Sequence, residues 1–292
     1  MKRVRTLAQQ LNPEVIHSYT FHTNLAAYWA ALGTKSIALG SLRGEFTSAK
    51  QHAGRWLGRL CARWPRCQIT NSFVAAENLR NSRKFFRPNQ TYFVRNALDL
   101  QRFSNSSGNA THHAFIVGVG SLLQYKRWDR VIRIVKEVSR RRDDCNVLIV
   151  GEGPERGRLE AEARRLGVSH RIRFIGATTD VPGLLNKARF LVHTSDTEGC
   201  PNAVMEAMAS GRPVIAMAAG DISHMIEHGK TGFVVPCGDE STFAQHVLRL
   251  LSDDELCFRM GVAAREKAER DFGLRRLVKE TFDAYIAAGW KN

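Results

Sequence analysis

Short apolar runs alternate with longer amphipathic stretches along most of this 292-residue chain. Residues 15–19 and 114–119 have the length and the β-branched content of buried strands, whereas residues 128–140 have the spacing of a helix with one apolar face. Strands that alternate with helices in this way are typical of a parallel sheet covered by helices. The pattern therefore predicts an α/β protein.

A polar stretch without apolar periodicity, residues 104–109, separates two regions of this pattern. We interpret it as a linker between a partial N-terminal domain, residues 1–108, and a second domain, residues 109–272. A C-terminal helix over residues 273–292 is expected to pack back toward the first domain. The second region is the more regular of the two, and its five or six βα units predict a doubly wound domain.

Charge is distributed unevenly between these regions. Residues 1–108 hold 16 Lys/Arg and 4 Asp/Glu, whereas the remainder holds 27 and 24, which gives a net charge of +15. A basic front half favours an anionic partner such as a phospholipid surface, a diphosphate-linked substrate or nucleic acid.

Apolar runs and cysteines restrict where the protein works. No apolar run approaches the roughly 20 residues that span a bilayer, and the basic N-terminus lacks the apolar stretch of a signal peptide, so a cytoplasmic protein is expected. The six cysteines are scattered without the pairing of a zinc site or the density of a disulfide scaffold. We therefore expect free thiols.

Two carboxylates, Glu198 and Glu206, are notable because their flanking sequence predicts where each lies. Residues 189–194 predict a buried strand, Asn202 is a candidate helix N-cap, and residues 203–209 predict a helix. Glu198 then lies in the loop after a strand and Glu206 in the following helix, so both border the crevice where open α/β sheets bind ligands. The backbone N–H groups at the start of that helix offer a phosphate site.

Six sequence motifs in order make residues 115–239 resemble the donor half of retaining GT-B glycosyltransferases of family 4. The similarity continues less sharply over residues 13–103. It implies a GT-B fold with two Rossmann-like doubly wound domains, the N-terminal one incomplete because βα units that usually precede residue 15 are absent. The motifs comprise residues 119–122 with Lys126, 151–154, 174–176 with 180–182, 198–206, 213–216 and 227–232.

The resemblance implies a role for individual residues. Glu206 resembles the carboxylate that holds the ribose hydroxyls, and Glu198 the one beside the donor sugar, where it stabilises positive charge developing at the anomeric carbon. Lys126 resembles the lysine that binds the diphosphate. No metal or other cofactor is expected besides the nucleotide diphosphate sugar. The remaining donor-binding candidates are Arg127, Gly120, Ser121, Gly199, Cys200, Pro201, Asn202, Gly151 and Glu152.

Two positions depart from the family pattern. Many relatives have Arg at the position of Ser121, and its absence weakens donor binding by about 1.5–3 kcal/mol unless another charge, such as that of Arg127, replaces it. Relatives also often carry a second His at the position of Tyr19. The candidate residues on the acceptor side are therefore His17, Tyr19 and His22, with no role assigned among them.

The segment 49–64 has two interpretations. One is a helix packed into the core with a solvated basic edge, and it is slightly favoured. The other is a face that rests on anionic lipid, into which aromatic side chains insert while arginines meet the head groups. The apolar stripe and its basic neighbours are Trp56, Leu57, Leu60, Cys61 and Trp64, with Arg55, Arg59 and Arg63.

Simpler interpretations remain for the main candidates: Glu198 and Glu206 as surface carboxylates, Lys126 as a solvated lysine and His17 as a core histidine. With the motifs, the sequence predicts a retaining, metal-independent hexosyltransferase that uses a nucleotide diphosphate sugar. Its acceptor is a glycan or a lipid-linked glycan in envelope polysaccharide or lipopolysaccharide biosynthesis, at the inner face of the membrane, and nucleic acid is not an expected partner. The alternative is a truncated, non-catalytic or subunit-dependent nucleotide-sugar-binding protein.

Overall fold

The computed structural model describes residues 1–44, 49, 53–81, 87–103 and 115–291. Its strands form two parallel sheets, one of four strands and one of six, so the predicted α/β class is confirmed. The chain divides into two compact units: unit 1 combines Met1–Ala97 with Leu274–Asn292, and unit 2 is Leu98–Gly273. The predicted linker, residues 104–109, lies outside the described residues, as does part of the segment 49–64.

The sheet of unit 1 has the strand order β1-β2-β3-β4. A buried amide fixes one helix against it: Asn24 Nδ2 donates to the carbonyls of Ser41 and Cys61, both at 3.2 Å, and Asn24 Oδ1 accepts from the Ser41 N–H at 2.8 Å. The C-terminal helix Leu274–Ala287 also belongs to this unit. The other elements are β1 Val15–His17, β2 Ile37–Leu42, β3 Cys67–Thr70 and β4 Gln90–Phe93, with helices α1 Lys2–Leu11, α2 Asn24–Ala31, α3 Arg55–Arg63 and α4 Phe73–Asn81.

Helix α3 does not bury the apolar stripe that the sequence suggested. Trp56 is 75% exposed, and Leu57 and Leu60 are each 43% exposed, whereas Cys61 and Ala62 are fully buried. The favoured interpretation of a core-packed stripe is wrong for these three residues, because the core-facing side of the helix carries the small residues. A bulky apolar surface therefore faces solvent on a strongly basic unit.

Further apolar surface flanks the edge of this sheet. Strand β1 pairs with β2 on one side and is the end of the strand order. On α1, Val4, Leu7 and Leu11 are 44–68% exposed, and the C-terminal helix exposes a stripe that includes Phe282. Of the helices within the described residues, none is both long and apolar enough to cross a membrane.

The sheet of unit 2 has the order β10-β9-β8-β5-β6-β7, so the chain changes direction across the sheet at β5, between β6 and β8. Its strands are β5 Phe115–Val119, β6 Val147–Val150, β7 Ile172–Gly176, β8 Ala188–His193, β9 Val214–Met217 and β10 Gly232–Val235. Its helices are α5 Trp128–Val138, α6 Arg156–Arg165, α7 Val181–Lys187, α8 Asn202–Ala209, α9 Ile222–Met225, α10 Glu240–Ser252 and α11 Asp254–Asp271.

Helices cover both faces of this second sheet, which is why its strands are almost continuously apolar. Ile116 and Ile215 belong to one buried cluster, whereas their neighbours Val117 and Val214 belong to a second one. Successive strand residues point to opposite faces, so the two clusters fill the two sides of the sheet. This core holds the carboxyl ends of β5 and β8 side by side, where open α/β sheets bind ligands.

Candidate functional site

Three side chains meet beyond the carboxyl ends of β5 and β8. Lys126 Nζ lies 2.6 Å from Glu198 Oε1, and His193 Nε2 lies 2.9 Å from the same oxygen. The side chains of Lys126, Glu198 and His193 are 14%, 9% and 3% exposed. One carboxylate oxygen therefore accepts two hydrogen bonds in a nearly water-free setting, where such bonds are strong.

Two opposing effects set the protonation of Glu198. Burial alone raises the pKa of this carboxyl, but the hydrogen bond and charge of His193 and the charge of Lys126 outweigh it and lower the pKa to about 2. The carboxylate is thus ionised across the physiological pH range. A fixed negative charge at this position is suited to stabilising positive charge nearby.

Hydrogen bonds to backbone carbonyl groups join the loops that carry Lys126 and Glu198. Thr194 Oγ1 donates to the carbonyl oxygens of Lys126 at 3.2 Å and of Arg127 at 3.0 Å. The N–H of Asp196 donates to the carbonyl of Tyr125 at 2.9 Å. These bonds hold the loop after β5 against the loop after β8 and so set the position of the ion pair.

Arg127 lies next to Lys126 but is already paired. Its guanidinium contacts Asp129 at 3.1 Å and Asp196 at 2.8 Å, and Arg130 contacts the other oxygen of Asp196 at 2.5 Å. The backbone of Arg127 is left-handed, with φ 54°, which turns the chain into helix α5. In this arrangement Arg127 fastens the loop that leads to Glu198.

The motifs 119–122 and 151–154 lie together at the ends of β5 and β6. The N–H of Gly120 donates to Val150, and the N–H of Leu122 donates to Glu152, at 2.9 and 2.8 Å. A Cβ on Gly151, whose φ is 146°, would lie 2.0 Å from the carbonyl oxygen of Gly120, so no other residue fits there. The carbonyl of Ser121 accepts a hydrogen bond of 3.0 Å from the indole N–H of Trp128, and the Trp128 side chain is buried on α5.

The segment between Glu198 and Glu206 forms the start of α8. Gly199, Cys200 and Pro201 are buried, and the helix begins at Asn202, so Pro201 rather than the predicted Asn202 is its N-cap. Asn202 is exposed, as the first residue of the helix. Gly220 holds this segment from the other side, because a Cβ there would lie 2.0 Å from the carbonyl oxygen of Glu198.

Glu206 is half-buried in helix α8. Burial raises the pKa of its carboxyl, and the charge of Arg102 acts in the opposite direction. Unlike Glu198, it has no Lys or His partner within hydrogen-bond distance in the described part of the chain. A carboxylate without such a partner keeps its oxygens as hydrogen-bond acceptors.

The three acceptor-side candidates belong to unit 1. His17, at the end of β1, has Nδ1 2.9 Å from the Tyr285 hydroxyl and Nε2 2.9 Å from Ser41 Oγ. The Tyr19 ring lies 4.4 Å from the ring of His17 and is exposed, whereas the ring of His22 lies against Phe21. His17 and Tyr19 thus form one cluster, and His22 is directed to a different neighbour.

His193 is the site residue that the sequence did not reveal. It was included in a predicted buried strand, and it is the last residue of β8. Its position five residues before Glu198 was the available signal, because the end of a strand and the loop after it lie at the same sheet edge. In the described part of the chain, no group of three or more His, Cys, Asp or Glu side chains is arranged to hold a metal ion.

A family model described as glycosyl transferases group 1 matches residues 100–267, more than half of the chain. The chain belongs to this family. The matched range contains Lys126, His193, Glu198 and Glu206, so the cluster described above lies within the part that family members share.

Curated relatives are similar to the chain over part of their length. N-acetyl-alpha-D-glucosaminyl L-malate synthase of Bacillus anthracis is 29% identical over 199 residues, which cover 67% of this chain and 50% of that protein. The lipopolysaccharide core biosynthesis glycosyltransferase LpsD of Rhizobium meliloti is 32% identical over 171 residues, 59% of this chain and 48% of LpsD. The chain thus spans about half the length of these glycosyltransferases.

Solved structures share the fold over nearly the whole chain. HepE of Anabaena, in complex with UDP and glucose, has a TM-score of 0.83 at 19% identity and covers 97% of this chain and 81% of HepE. Sucrose-phosphate synthase of Thermosynechococcus elongatus has a TM-score of 0.85 at 19% identity, over 98% of this chain and 77% of that one. These likenesses confirm the predicted GT-B fold.

Proposed function

We propose that this protein is a retaining, metal-independent glycosyltransferase that moves a hexose from a nucleotide diphosphate sugar to a glycan or a lipid-linked glycan. The observation that carries the proposal is the buried group of Lys126, His193 and Glu198 at the strand ends of unit 2. Membership of the family and the UDP bound by HepE support a nucleotide sugar as donor.

Each chemical group of the nucleotide sugar has a proposed partner in this site. Glu206 accepts hydrogen bonds from the ribose hydroxyls. The diphosphate takes the charge of Lys126 and the N–H groups at the start of α8, where the helix dipole favours anions. Glu198 faces the hexose.

Lys126 has two partners in this proposal. In the free protein it pairs with Glu198 at 2.6 Å, and in the donor complex it binds the diphosphate. Glu198 then keeps its hydrogen bond to His193, which holds the carboxylate ionised and in place. Arg127 is proposed to keep its contacts to Asp129 and Asp196, and so to position the loop rather than bind phosphate.

The reaction breaks the bond between the anomeric carbon and the β-phosphate oxygen. Lys126 and the helix start stabilise the leaving nucleoside diphosphate, while Glu198 stabilises the positive charge on the sugar. The acceptor hydroxyl forms the new bond from the same face, and its proton passes to an oxygen of the leaving diphosphate. Retention then requires no protein nucleophile.

Activity assays with matched variants test this proposal. We expect the wild-type chain to hydrolyse or transfer sugar from at least one nucleotide diphosphate sugar. Glu198→Gln should lower kcat by about 100-fold or more, since it removes a preorganised charge. Lys126→Met should weaken nucleoside diphosphate binding by about 10-fold or more through loss of a charge-assisted hydrogen bond. Lys187→Gln, at the exposed end of α7, is the control. Donor binding without any turnover would reject the proposal that the chain is an enzyme.

We further propose that unit 1 contacts an anionic membrane surface through α3, in envelope polysaccharide assembly on the cytoplasmic side. The exposed Trp56, Leu57 and Leu60 supply apolar groups for the interface, and Arg59 and Arg63 on the same helix supply charge. LpsD, a lipopolysaccharide core biosynthesis glycosyltransferase to which the chain is similar, supports this setting. Flotation with vesicles containing anionic lipid should fall when Arg59 and Arg63 are changed to Glu, and unchanged flotation would reject the contact.

A second candidate is a nucleotide-sugar-binding subunit that needs another polypeptide for turnover. It is favoured by the open edge of β1 and by the exposed apolar residues on α1 and the C-terminal helix. Sedimentation together with a turnover assay would separate the two candidate functions. A monodisperse monomer that turns over donor excludes the binding-subunit function, whereas self-association or inactivity of the isolated chain favours that function.

A further inference from the structure

Polar side chains collect at the carboxyl edge of the sheet in unit 1. His17 ends β1, Arg43 directly follows β2, Asn71 directly follows β3, and Asn96 follows β4 by three residues. The carboxyl ends of parallel strands lie at one edge, and such an edge is where α/β sheets bind ligands. This group belongs to unit 1, whereas the cluster around Glu198 belongs to unit 2.

Direct contacts join these side chains into one group. The guanidinium of Arg43 lies 4.8 Å above the ring of Tyr19, and that ring lies 4.4 Å from His17. Arg43 Nη1 donates to Asn96 Oδ1 at 3.3 Å, and Asn71 Nδ2 donates to the same oxygen at 3.1 Å. Arg43 and Asn71 are therefore neighbours, held by one amide oxygen.

Among the residues that the structure describes, no carboxylate neutralises the charge of Arg43. It is an exposed residue, and within the described ranges it forms no ion pair; its contacts are the Tyr19 ring and the Asn96 amide. A guanidinium fixed by an aromatic face and a neutral oxygen keeps most of its N–H donors for a ligand. Planar guanidinium donors match the oxygens of a carboxylate or a phosphate.

Asn71 supplies an open acceptor beside this charge. The residue is 7% exposed, and its Oδ1 has no hydrogen-bond partner in the part of the chain that the structure describes. A buried carbonyl oxygen without a partner is costly, because it has lost water without gaining a donor. A hydroxyl of a bound ligand would satisfy it.

His17 has a different part in the group. Both of its ring nitrogens are engaged, with Tyr285 and Ser41, at 2.9 Å. Burial and the charge of Arg43 lower the pKa of His17 to about 4, so its imidazole is neutral at physiological pH. His17 therefore contributes a neutral ring that contacts the Tyr19 ring, and Arg43 is the cation of the site.

We propose that this edge binds an acceptor that carries an anionic group, a phosphate or a carboxylate, through Arg43, while a neighbouring acceptor hydroxyl donates to Asn71 Oδ1. The inference rests on the glycosyl transfer proposed above, for which it names the chemical class of acceptor. Tyr19 and Asn96 hold Arg43 in position for that anion.

Calorimetry on the full chain tests the site. The donor site is first saturated with a nucleoside diphosphate, because Lys126 would otherwise bind added anions. Inorganic phosphate, glycerol 3-phosphate and L-malate are then titrated, with glycerol as the neutral counterpart. The variants are Arg43→Gln, Arg43→Lys and the control Lys35→Gln, which changes an exposed lysine of the same unit. Thermal melting verifies that each variant folds.

We expect at least one anion to bind the wild-type chain and glycerol not to bind. Arg43→Gln should weaken anion binding by about 10-fold or more, the size of one charge-assisted hydrogen bond, with Arg43→Lys in between and Lys35→Gln within about 2-fold of wild type. Stronger binding of the phosphates than of malate assigns a phosphate, and the reverse a carboxylate. Anion binding that survives Arg43→Gln, or no anion binding, overturns the inference. If no nucleoside diphosphate binds but the anion does, the proposed transferase falls and the anion site stands.

Discussion

The imidazole of His193 and the carboxylate of Glu198 form a buried hydrogen bond of 2.9 Å between the last residue of β8 and the loop that follows it. Lys126 shares the same oxygen, but in the mechanism proposed above its charge binds the diphosphate of the donor. Under that proposal, His193 is the group that holds Glu198 during the reaction. We regard it as a positioning residue, since it acts through Glu198.

His193→Phe should therefore lower kcat by about 10-fold or more with a small change in KM for the donor, because a charge-assisted hydrogen bond to Glu198 is lost. Its hydrogen bond and charge lower the pKa of Glu198, so in the variant this pKa rises and the acid limb of the kcat profile moves to higher pH. His193→Gln keeps a donor and should recover part of kcat. An acid limb at the wild-type position would show that His193 has only a packing role.

Glu206 should recognise the ribose hydroxyls specifically. Glu206→Ala is expected to weaken nucleoside diphosphate binding by about 10-fold, since two hydroxyl donors lose their acceptor. The same substitution should have little effect on a 2′,3′-dideoxynucleoside diphosphate, which lacks both hydroxyls. Calorimetry on the four combinations of protein and ligand measures the coupling. Equal losses with both ligands would place Glu206 outside the ribose site.

Ser121 offers a gain-of-affinity experiment. Its backbone carbonyl is held by Trp128, which fixes the turn beside Lys126. In the family pattern described above, many relatives have Arg at this position. Ser121→Arg should restore that positive charge and strengthen nucleoside diphosphate binding by up to about 10-fold. The monophosphate should gain less, because fewer charged oxygens reach the turn. Ser121→Gln, of similar length without the charge, is the control, and equal gains for both substitutions would exclude an electrostatic cause.

His17 predicts a pH dependence for the stability of unit 1. Burial, and secondly the charge of Arg43, lower its pKa from 6.5 to about 4 in the folded state. Between these values the unfolded chain binds the proton and the folded chain does not, so the free energy of unfolding is full above pH 6.5 and falls as pH decreases toward 4. His17→Gln should flatten this part of the curve in denaturant titrations at several pH values. A slope equal to that of wild type would contradict the assignment.

The donor half could be predicted from sequence because its elements are locally consistent. Residues 189–194 and 203–209 have unambiguous strand and helix patterns, and they place Glu198 and Glu206 at the sheet edge without any long-range information. The partner of Lys126 could not be predicted, since 72 residues separate it from Glu198 and only the sheet order brings them together. The pairing of Arg127 with Asp196 could not be predicted from the sequence for the same reason.

Predictions from sequence were wrong where the residue pattern does not specify which side of an element packs against the core. In α3 the apolar stripe predicts the buried side, but its bulky members Trp56, Leu57 and Leu60 are exposed. Cys61 of the stripe is buried together with Ala62, because a small side lets the helix approach the elements beneath. The cap of α8 was misplaced by one residue, because Asn202 suits both the cap and the first helical position. Neither feature can be decided from local sequence alone.

The bonds from Thr194 to the loop after β5 also bear on how the protein is inactivated by heat. Thr194 is buried at the end of a central strand, and the carbonyls to which it donates belong to Lys126 and Arg127, at the proposed donor site. This loop is thus part of the same cooperative structure as the strand, unlike a surface lid that opens on its own. Donor binding and the packing of unit 2 should therefore be lost in a single melting transition.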